Sequence, residues 1–95
     1  MKHLNISIRG KVQGVFFRLT AKAVADQVGV KGFVLNQKDG SVYIEAEGDD
    51  FALDSMLDFC QEGPEDANVE AVEVKEGELK GFSNFEVIKR VQSQV

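Results

Sequence analysis

The sequence predicts an α+β fold, in which two helices cover one face of an antiparallel β-sheet. Three observations support this class. Several short segments alternate apolar and polar residues, as half-buried strands do. Two longer segments repeat apolar residues every three or four positions, which is typical of amphipathic helices. Turn signals separate these segments in the order strand, helix, strand, strand, helix, strand.

The first half of the chain supplies a strand, a helix and a hairpin. Alternation predicts a strand at residues 4–9, and an apolar face predicts a helix at 17–28 that ends at Gly29. Two further strands, at 33–36 and 42–47, flank an Asp39-Gly40 turn. The helix face consists of Phe17, Ala21, Val24 and Val28.

The second half supplies the other helix and the remaining strands. Asp49 and Asp50 predict an acidic helix cap, and Gly63-Pro64 predicts the end of that helix. The apolar phase of the next strand, at 69–75, slips between Ala71 and Val72, which predicts a bulge there. A loop at 77–83, a short edge strand at 85–88 and a frayed tail at 91–95 complete the chain. The stripe of the second helix is Leu53, Met56, Leu57 and Cys60.

This order predicts a ferredoxin-like β-α-β-β-α-β sandwich, with both helices on one face of the sheet. Right-handed crossovers make the first two strands parallel and place the third strand between them. The loop after the first strand and Asn36 at the end of the second therefore lie at the same edge of the sheet.

Composition indicates one globular domain over residues 1–95 and excludes several classes of protein. The net charge of −5 argues against a nucleic-acid-binding protein, and no apolar segment resembles a membrane span or signal peptide. The single cysteine, Cys60, fits a reducing compartment and the predicted core, so we expect a cytoplasmic protein. Residues 1–40 carry seven basic and two acidic side chains, a net +5. This uneven distribution of charge either reflects an ordinary solvated surface or creates a positive electrostatic potential that attracts a small anion.

The stretch GKVQGVFFR, residues 10–18, is the most unusual local feature. No Ser, Thr, Asp or Asn immediately precedes the helix, so its first amides lack a capping side chain. Arg18 lies in the first turn, where a cation is unfavourable unless an anion lies between it and the amides. The loop either binds phosphate, with the guanidinium of Arg18 donating hydrogen bonds to two phosphate oxygens, or it is a turn whose amides bind water while Arg18 extends into solvent. The nucleotide-binding patterns GxxxxGK[ST] and GxGxxG are absent.

Asn36 is the second unusual residue, because asparagine is disfavoured in strands. Its amide could hold a water through its carbonyl oxygen and a phosphate oxygen through its NH₂ group, or it could simply belong to the turn. An amide is not a strong base. A hydrolase built on Arg18 and Asn36 therefore needs a reactive substrate, such as a mixed carboxylic–phosphoric anhydride.

These residues resemble the acylphosphatase family. The segment 8–18, IRGKVQGVFFR, fits the family's first motif at each restricted position. The segment 32–36, GFVLN, with Gly40, Val42 and Gly48, is similar to its second motif. Gly63-Pro64 and Phe85 also match, so the resemblance covers about residues 4–90.

The resemblance implies an enzyme that hydrolyses acyl phosphates to a carboxylate and inorganic phosphate. It assigns phosphate binding to Arg18 and the amides of Gly14, Val15, Phe16, Phe17 and Arg18, and water orientation to Asn36. It implies no cofactor, no metal and no phosphoenzyme. We expect a monomer whose partners are the acyl phosphate and phosphate, without nucleic acid or membrane. The alternative is a non-catalytic ferredoxin-like module that binds an anion or another protein.

Two positions depart from the family pattern, and several polar residues have no expected role in the site. Leu35 and Asn68 stand where longer polar or basic residues are common, which puts additional cationic help for larger anions in doubt. His3 is a weak candidate for a general base, because it begins the first strand, far from the loop. We expect Tyr43 and Glu45 to be solvated on the polar side of the hairpin.

Overall fold

The computed structural model describes residues 1–89, and the tail predicted at 91–95 lies outside this range. The elements follow one another in the predicted order. They are β1 (Lys2–Lys11), α1 (Phe17–Val28), β2 (Lys31–Asn36), β3 (Val42–Gly48), α2 (Asp50–Glu62), β4 (Asn68–Gly77) and β5 (Phe85–Ile88).

The strands form one sheet in the order β4-β1-β3-β2-β5. Strand β3 pairs antiparallel with both β1 and β2, so β1 and β2 are parallel to each other, as the topology predicts. Strand β5 lies at an edge, as predicted, but it pairs parallel to β2. The ferredoxin-like class is confirmed, whereas the sheet is mixed and not wholly antiparallel. The connection from β4 to β5 crosses the sheet and reverses the chain direction.

The core lies between the sheet and the two helices. Helix α1 buries Phe17, Ala21 and Ala25, and the rings of Phe17 and Phe59 lie 5.2 Å apart between the helices. Asp49 caps α2 as predicted, because its carboxylate accepts a hydrogen bond of 2.8 Å from the amide of Ala52. Helix α2 contributes Ala52, Leu53, Met56 and Cys60 to this core. Neither helix of residues 1–89 is long and apolar enough to cross a membrane.

The bulge of β4 lies one residue earlier than predicted. Arg9 pairs with Ala71 and Gly10 pairs with Val69, which leaves Glu70 as the extra residue. A side chain at position 10 would collide with the β4 backbone, and Gly10 has a φ of 128° that other residues rarely adopt. The glycine on the partner strand, and not the apolar phase of β4, therefore sets the position of the bulge.

Part of the face of the sheet opposite the helices, here called the helix-free face, is covered by residues 78–84. The carboxylate of Glu47 accepts hydrogen bonds from the amides of Lys80 at 2.5 Å, Gly81 at 3.1 Å and Phe82 at 3.2 Å. It is also 2.7 Å from Nδ1 of His3, whose side chain is 1% exposed. The predicted loop is therefore attached firmly to the sheet.

The expectation that Tyr43 and Glu45 are solvated is wrong. Glu45 is buried, and its carboxylate lies 2.8 Å from Nζ of Lys80 and 3.2 Å from Nε2 of His3. The hydroxyl of Tyr43 donates to the same carboxylate at 2.8 Å, and Tyr43 is half-buried. Residues 78–84 exclude solvent from this part of the face, which alternation along a strand alone does not indicate. We call His3, Glu45, Glu47 and Lys80 the charged cluster.

Candidate active site

The loop at residues 12–16 joins the end of β1 to the start of α1. Val12 and Val15 are buried in the core and anchor both sides of the loop. Gly14 and Phe16 both have a positive φ, 74° and 63° respectively. These two anchors and two left-handed residues fix the path by which the backbone turns into the helix.

Helix α1 begins without a side-chain cap, as predicted. Phe16 is the N-cap residue, and no side chain within residues 1–89 caps its helix. The amide of Thr20 is the first to bond within the helix, to the carbonyl of Phe16 at 3.1 Å. The amides of Phe17, Arg18 and Leu19 have no acceptor within α1, because the geometry of a helix offers none to its first turn. They form the positive end of the helix dipole.

The side chain of Arg18 is held by the last strand. Its Nη1 donates to the carbonyl oxygen of Ile88 in β5, at 2.9 Å. A guanidinium has five N–H donors, so this bond leaves others for a ligand. Strand β5 therefore orients Arg18 at the start of α1, a contact that the sequence does not predict.

Asn36 ends β2 at the same edge of the sheet. Its Oδ1 is buried and has no hydrogen-bond partner, the only such side-chain atom found in residues 1–89. Buried polar atoms are usually paired, and an unpaired one typically costs about 1–3 kcal/mol. This carbonyl oxygen is therefore available to a bound molecule.

Gln13 connects the loop to the hairpin that carries Asn36. Its Nε2 donates to the carbonyl oxygens of Gln37 at 2.7 Å and Ser41 at 2.9 Å. The turn itself is fixed by Asp39, whose carboxylate accepts from the hydroxyl of Ser41 at 2.5 Å and from its amide at 3.0 Å. These two hydrogen bonds, with an ion pair to Arg9, hold the pKa of Asp39 below its ordinary value. Sequence reasoning assigned no role to Gln13.

One cavity of about 310 Å³ brings the predicted residues together. Arg18 and Asn36 both line it, although 18 positions separate them in the chain. Val15, whose side chain is buried in the core, is not among the residues that line it. The remaining lining residues are Val12, Gly14, Phe16, Phe17 and Leu19.

Phe16 combines two unfavourable properties at the mouth of this cavity. It is the one non-glycine residue of the described chain with a positive φ, a conformation that costs roughly 1–2 kcal/mol for an L-residue. Its side chain is also 73% exposed. Neither property stabilises the fold.

The other candidate groups lie elsewhere. His3 is at the far end of β1, and its ring nitrogens are bonded to Glu47 and to Oδ1 of Asn5. Burial raises the pKa of Cys60 to about 12, so its thiol is unreactive. Within residues 1–89, no group of three or more His, Cys, Asp or Glu side chains is arranged to hold a metal ion.

Leu35, which departs from the family pattern, is buried, but it lies outside the core between the sheet and the helices. It is therefore on the opposite side of β2 from that core. Asn68 is exposed at the start of β4, opposite Lys11.

Comparisons with known proteins agree with the fold. The acylphosphatase family model matches residues 4–87. The acylphosphatase of Archaeoglobus fulgidus is 45% identical over 84 residues, covering 88% of this chain and 94% of that protein. The Thermotoga maritima acylphosphatase is 46% identical, covering 92% and 97%. The crystal structure of the Bacillus subtilis acylphosphatase superimposes with a TM-score of 0.90 at 35% identity, covering 93% and 99%. The chain belongs to the acylphosphatase family of hydrolases.

Proposed function

We propose that this chain hydrolyses small acyl phosphates to a carboxylate and inorganic phosphate in the cavity between the 12–16 loop and Asn36. The phosphoryl group binds the amides of residues 14–18 and the guanidinium of Arg18. Asn36 orients the attacking water. The observation that carries the proposal is the buried, unpartnered Oδ1 of Asn36, which lines the same cavity as Arg18.

The anion is held at the positive end of α1. Uncapped amides and an adjacent guanidinium bind phosphate oxygens through charge-assisted hydrogen bonds. The bond from Arg18 to Ile88 orients the guanidinium before the ligand arrives, which lowers the entropic cost of binding. A phosphate bound between Arg18 and the amides offsets the repulsion between the guanidinium and the positive end of the helix dipole.

The water is held by the amide of Asn36. Its Oδ1 accepts a hydrogen bond from the water, and its NH₂ group donates to a phosphate oxygen. Gln13 fixes the loop relative to the hairpin, so the distance between phosphate and water is set by hydrogen bonds in the free protein. Catalysis by positioning requires such a fixed distance.

The reaction then needs no strong base from the protein. The water oxygen attacks phosphorus, and the bond between phosphorus and the acyl oxygen breaks. The electron pair leaves with the carboxylate, a good leaving group, and the water's proton passes to an oxygen of the phosphate. Arg18 and the amides stabilise the charge on the equatorial oxygens of this loose transition state.

The test is hydrolysis of benzoyl phosphate with excess chelator, comparing the wild type with Asn36→Ala. We expect rapid hydrolysis by the wild type and a loss of about 100-fold in kcat in the variant. Inhibition by inorganic phosphate should weaken by no more than about tenfold, which corresponds to the one hydrogen bond lost with the Asn36 NH₂ group, because Arg18 and the amides remain. Phe51→Ala, on α2 and 79% exposed, is the control and should match the wild type.

Three results would contradict the proposal. Unchanged turnover in Asn36→Ala would remove Asn36 from the reaction. Turnover that requires a metal ion would contradict the mechanism without metal. A wild type that is folded and binds phosphate, but does not hydrolyse benzoyl phosphate, would support the alternative, a non-catalytic anion-binding module.

A further inference from the structure

The cavity is larger and more apolar than binding of phosphate alone requires. Its volume of about 310 Å³ is at the lower end of the range for sites that enclose small organic molecules. Phe16 and Leu19 line it together with Arg18 and Asn36. The cavity therefore offers both polar groups to an anion and hydrocarbon to an apolar group.

These two apolar side chains are exposed in the free protein. Phe16 is 73% exposed and Leu19 is 58% exposed. They are three positions apart at the start of α1, so they are neighbours across its first turn. We call this pair the apolar rim. Leu19 also lines the adjoining groove along β5, so the rim continues past the edge of the cavity.

The conformation of Phe16 indicates that the aromatic side chain has a use at this position. Glycine or asparagine adopts a positive φ at lower cost than phenylalanine, and an exposed phenylalanine contributes little to the core. Strained residues of this kind concentrate at ligand-binding sites, where the ligand supplies the compensating contact. The carbonyl of Phe16 accepts from the amide and the hydroxyl of Thr20, at 3.1 and 2.8 Å, which holds the residue in this conformation.

We propose that the apolar rim binds the acyl group of the substrate and makes the enzyme selective for aromatic and other bulky apolar acyl phosphates. This inference rests on the proposed function, because it places the acyl group beside a phosphoryl group held by Arg18. A benzoyl ring packs against Phe16 and Leu19, whereas an acetyl group is too small to contact both.

The rim acts on binding and not on the bond that breaks. The acyl group contacts hydrocarbon in both the ground state and the transition state. Such uniform binding lowers KM and raises kcat/KM while leaving kcat nearly unchanged. Selectivity should therefore be visible as a difference in KM between bulky and small substrates.

The experiment measures kcat and KM for benzoyl phosphate and acetyl phosphate in the wild type, Phe16→Ala and Leu19→Ala. The quantity compared is the ratio of kcat/KM for the two substrates, which cancels any effect on phosphate binding shared by both. We expect the ratio to fall about three- to tenfold in each variant, mainly through KM for benzoyl phosphate. Phe51→Ala, an equally exposed phenylalanine on α2, should keep the wild-type ratio.

Phe16→Leu separates the aromatic ring from the general apolar contact. It should keep part of the preference, since leucine still offers hydrocarbon. Thermal unfolding of each variant shows whether the loop stays folded, and inhibition by inorganic phosphate reports the phosphate site independently of the acyl group.

The outcomes separate this inference from the proposed function. If both substrates are hydrolysed and the ratio is the same in every variant, the apolar rim does not bind the acyl group, while the proposed function stands. If the wild type prefers acetyl phosphate, the selectivity is opposite to that proposed. If neither substrate is hydrolysed, the proposed function itself fails.

Discussion

The two ends of β1 carry opposite kinds of polar structure. At its start, the His3, Glu45 and Glu47 members of the charged cluster are buried and are paired with one another, with the exposed Lys80 side chain or with backbone amides of residues 80–82. At its end, the 12–16 loop and Asn36 leave polar groups without partners. The polar groups at one end of β1 are thus hydrogen-bonded, whereas those at the other end, about one strand length away, lack hydrogen-bond partners within residues 1–89. We expect the first group to stabilise the fold, whereas the proposed function assigns the second to a ligand.

Arg18→Lys tests the proposed phosphate site at the end of β1 and should have the largest effect on activity. Lysine keeps the charge, but it cannot bond two phosphate oxygens in the plane of a guanidinium while also bonding Ile88. We expect kcat/KM for benzoyl phosphate to fall at least about 100-fold, with stability changed by less than about 1 kcal/mol.

Arg9→Lys is the matched control for this substitution, because Arg9 is exposed and pairs with Asp39 on the surface. Its kcat/KM should stay within about twofold of the wild type. Near-normal activity in Arg18→Lys would show that charge alone is sufficient and that the planar contact is unnecessary.

Glu47→Gln tests the charged cluster at the start of β1 and should lower the stability of the fold. The amide is the same size as the carboxylate, but whichever way it turns, its NH₂ group would face a backbone N–H donor, either that of Lys80 or those of Gly81 and Phe82. We expect the free energy of unfolding to fall by about 3 kcal/mol in urea denaturation. The kcat of the folded fraction should be unchanged, since the cluster is far from the cavity.

Glu73→Gln makes the same chemical change on the exposed surface of β4 and should alter stability by less than about 0.5 kcal/mol. If Glu47→Gln were as stable as this control, the charged cluster would not stabilise the fold. If it lost kcat while folded, the two ends of β1 would be coupled.

The charged cluster also predicts a pH dependence of stability. Burial raises the pKa of Glu47, but hydrogen bonds from the amide of Lys80, His3 and the amides of Phe82 and Gly81 outweigh it and hold the pKa below its ordinary 4.5. In Glu45, bonds from Lys80 and Tyr43 likewise outweigh burial and lower the pKa. A carboxyl whose pKa is lower in the folded state adds stability above its unfolded pKa. That stability is lost as the pH falls through the folded pKa.

We therefore expect the free energy of unfolding to decline as the pH falls below about 4.5, by less than the effect of Glu47→Gln at neutral pH. Urea denaturation between pH 3 and 7 measures this decline. The decline should be shallower in Glu47→Gln, which lacks one of the titrating groups. An equal slope in both proteins would place the acid sensitivity outside the cluster.

Gln13→Ala should have the smallest effect of the set. It removes the two hydrogen bonds between the loop and the hairpin, while the ligand-binding groups themselves remain. We expect kcat to fall about tenfold, with little change in inhibition by phosphate, because the water and the phosphate are less well aligned. Gln37→Ala should leave kcat near the wild-type value, because Gln13 bonds the backbone carbonyl of residue 37. A fall in phosphate affinity without loss of kcat would mean that Gln13 supports the anion site only.

The sequence predicts the helix-covered side of the sheet well, because local periodicity and crossover handedness determine it. The meeting of Arg18 and Asn36 at one cavity follows from the parallel arrangement of β1 and β2. The uncapped start of α1 also follows from the residues before it. The roles of these residues in binding and catalysis stay predictions until the variants are measured.

The helix-free face was not predictable in the same way. Glu45 alternates as a solvated residue would, and only the path of residues 78–84 across the sheet buries it. The partner of Arg18 is a backbone carbonyl, which any residue at position 88 supplies, so no side-chain pattern marks it. The contacts of Gln13 are likewise made to backbone oxygens.

The bond between Arg18 and Ile88 joins the first helix to the last strand, across 70 positions of the chain. During synthesis on the ribosome, Arg18 is made well before its partner, which follows 70 residues later. A nascent chain can form the loop and the helix, yet it holds the guanidinium in place only when β5 has joined the sheet. The orientation of Arg18 is thus a product of the completed sheet, and chains synthesised only as far as β4 lack it.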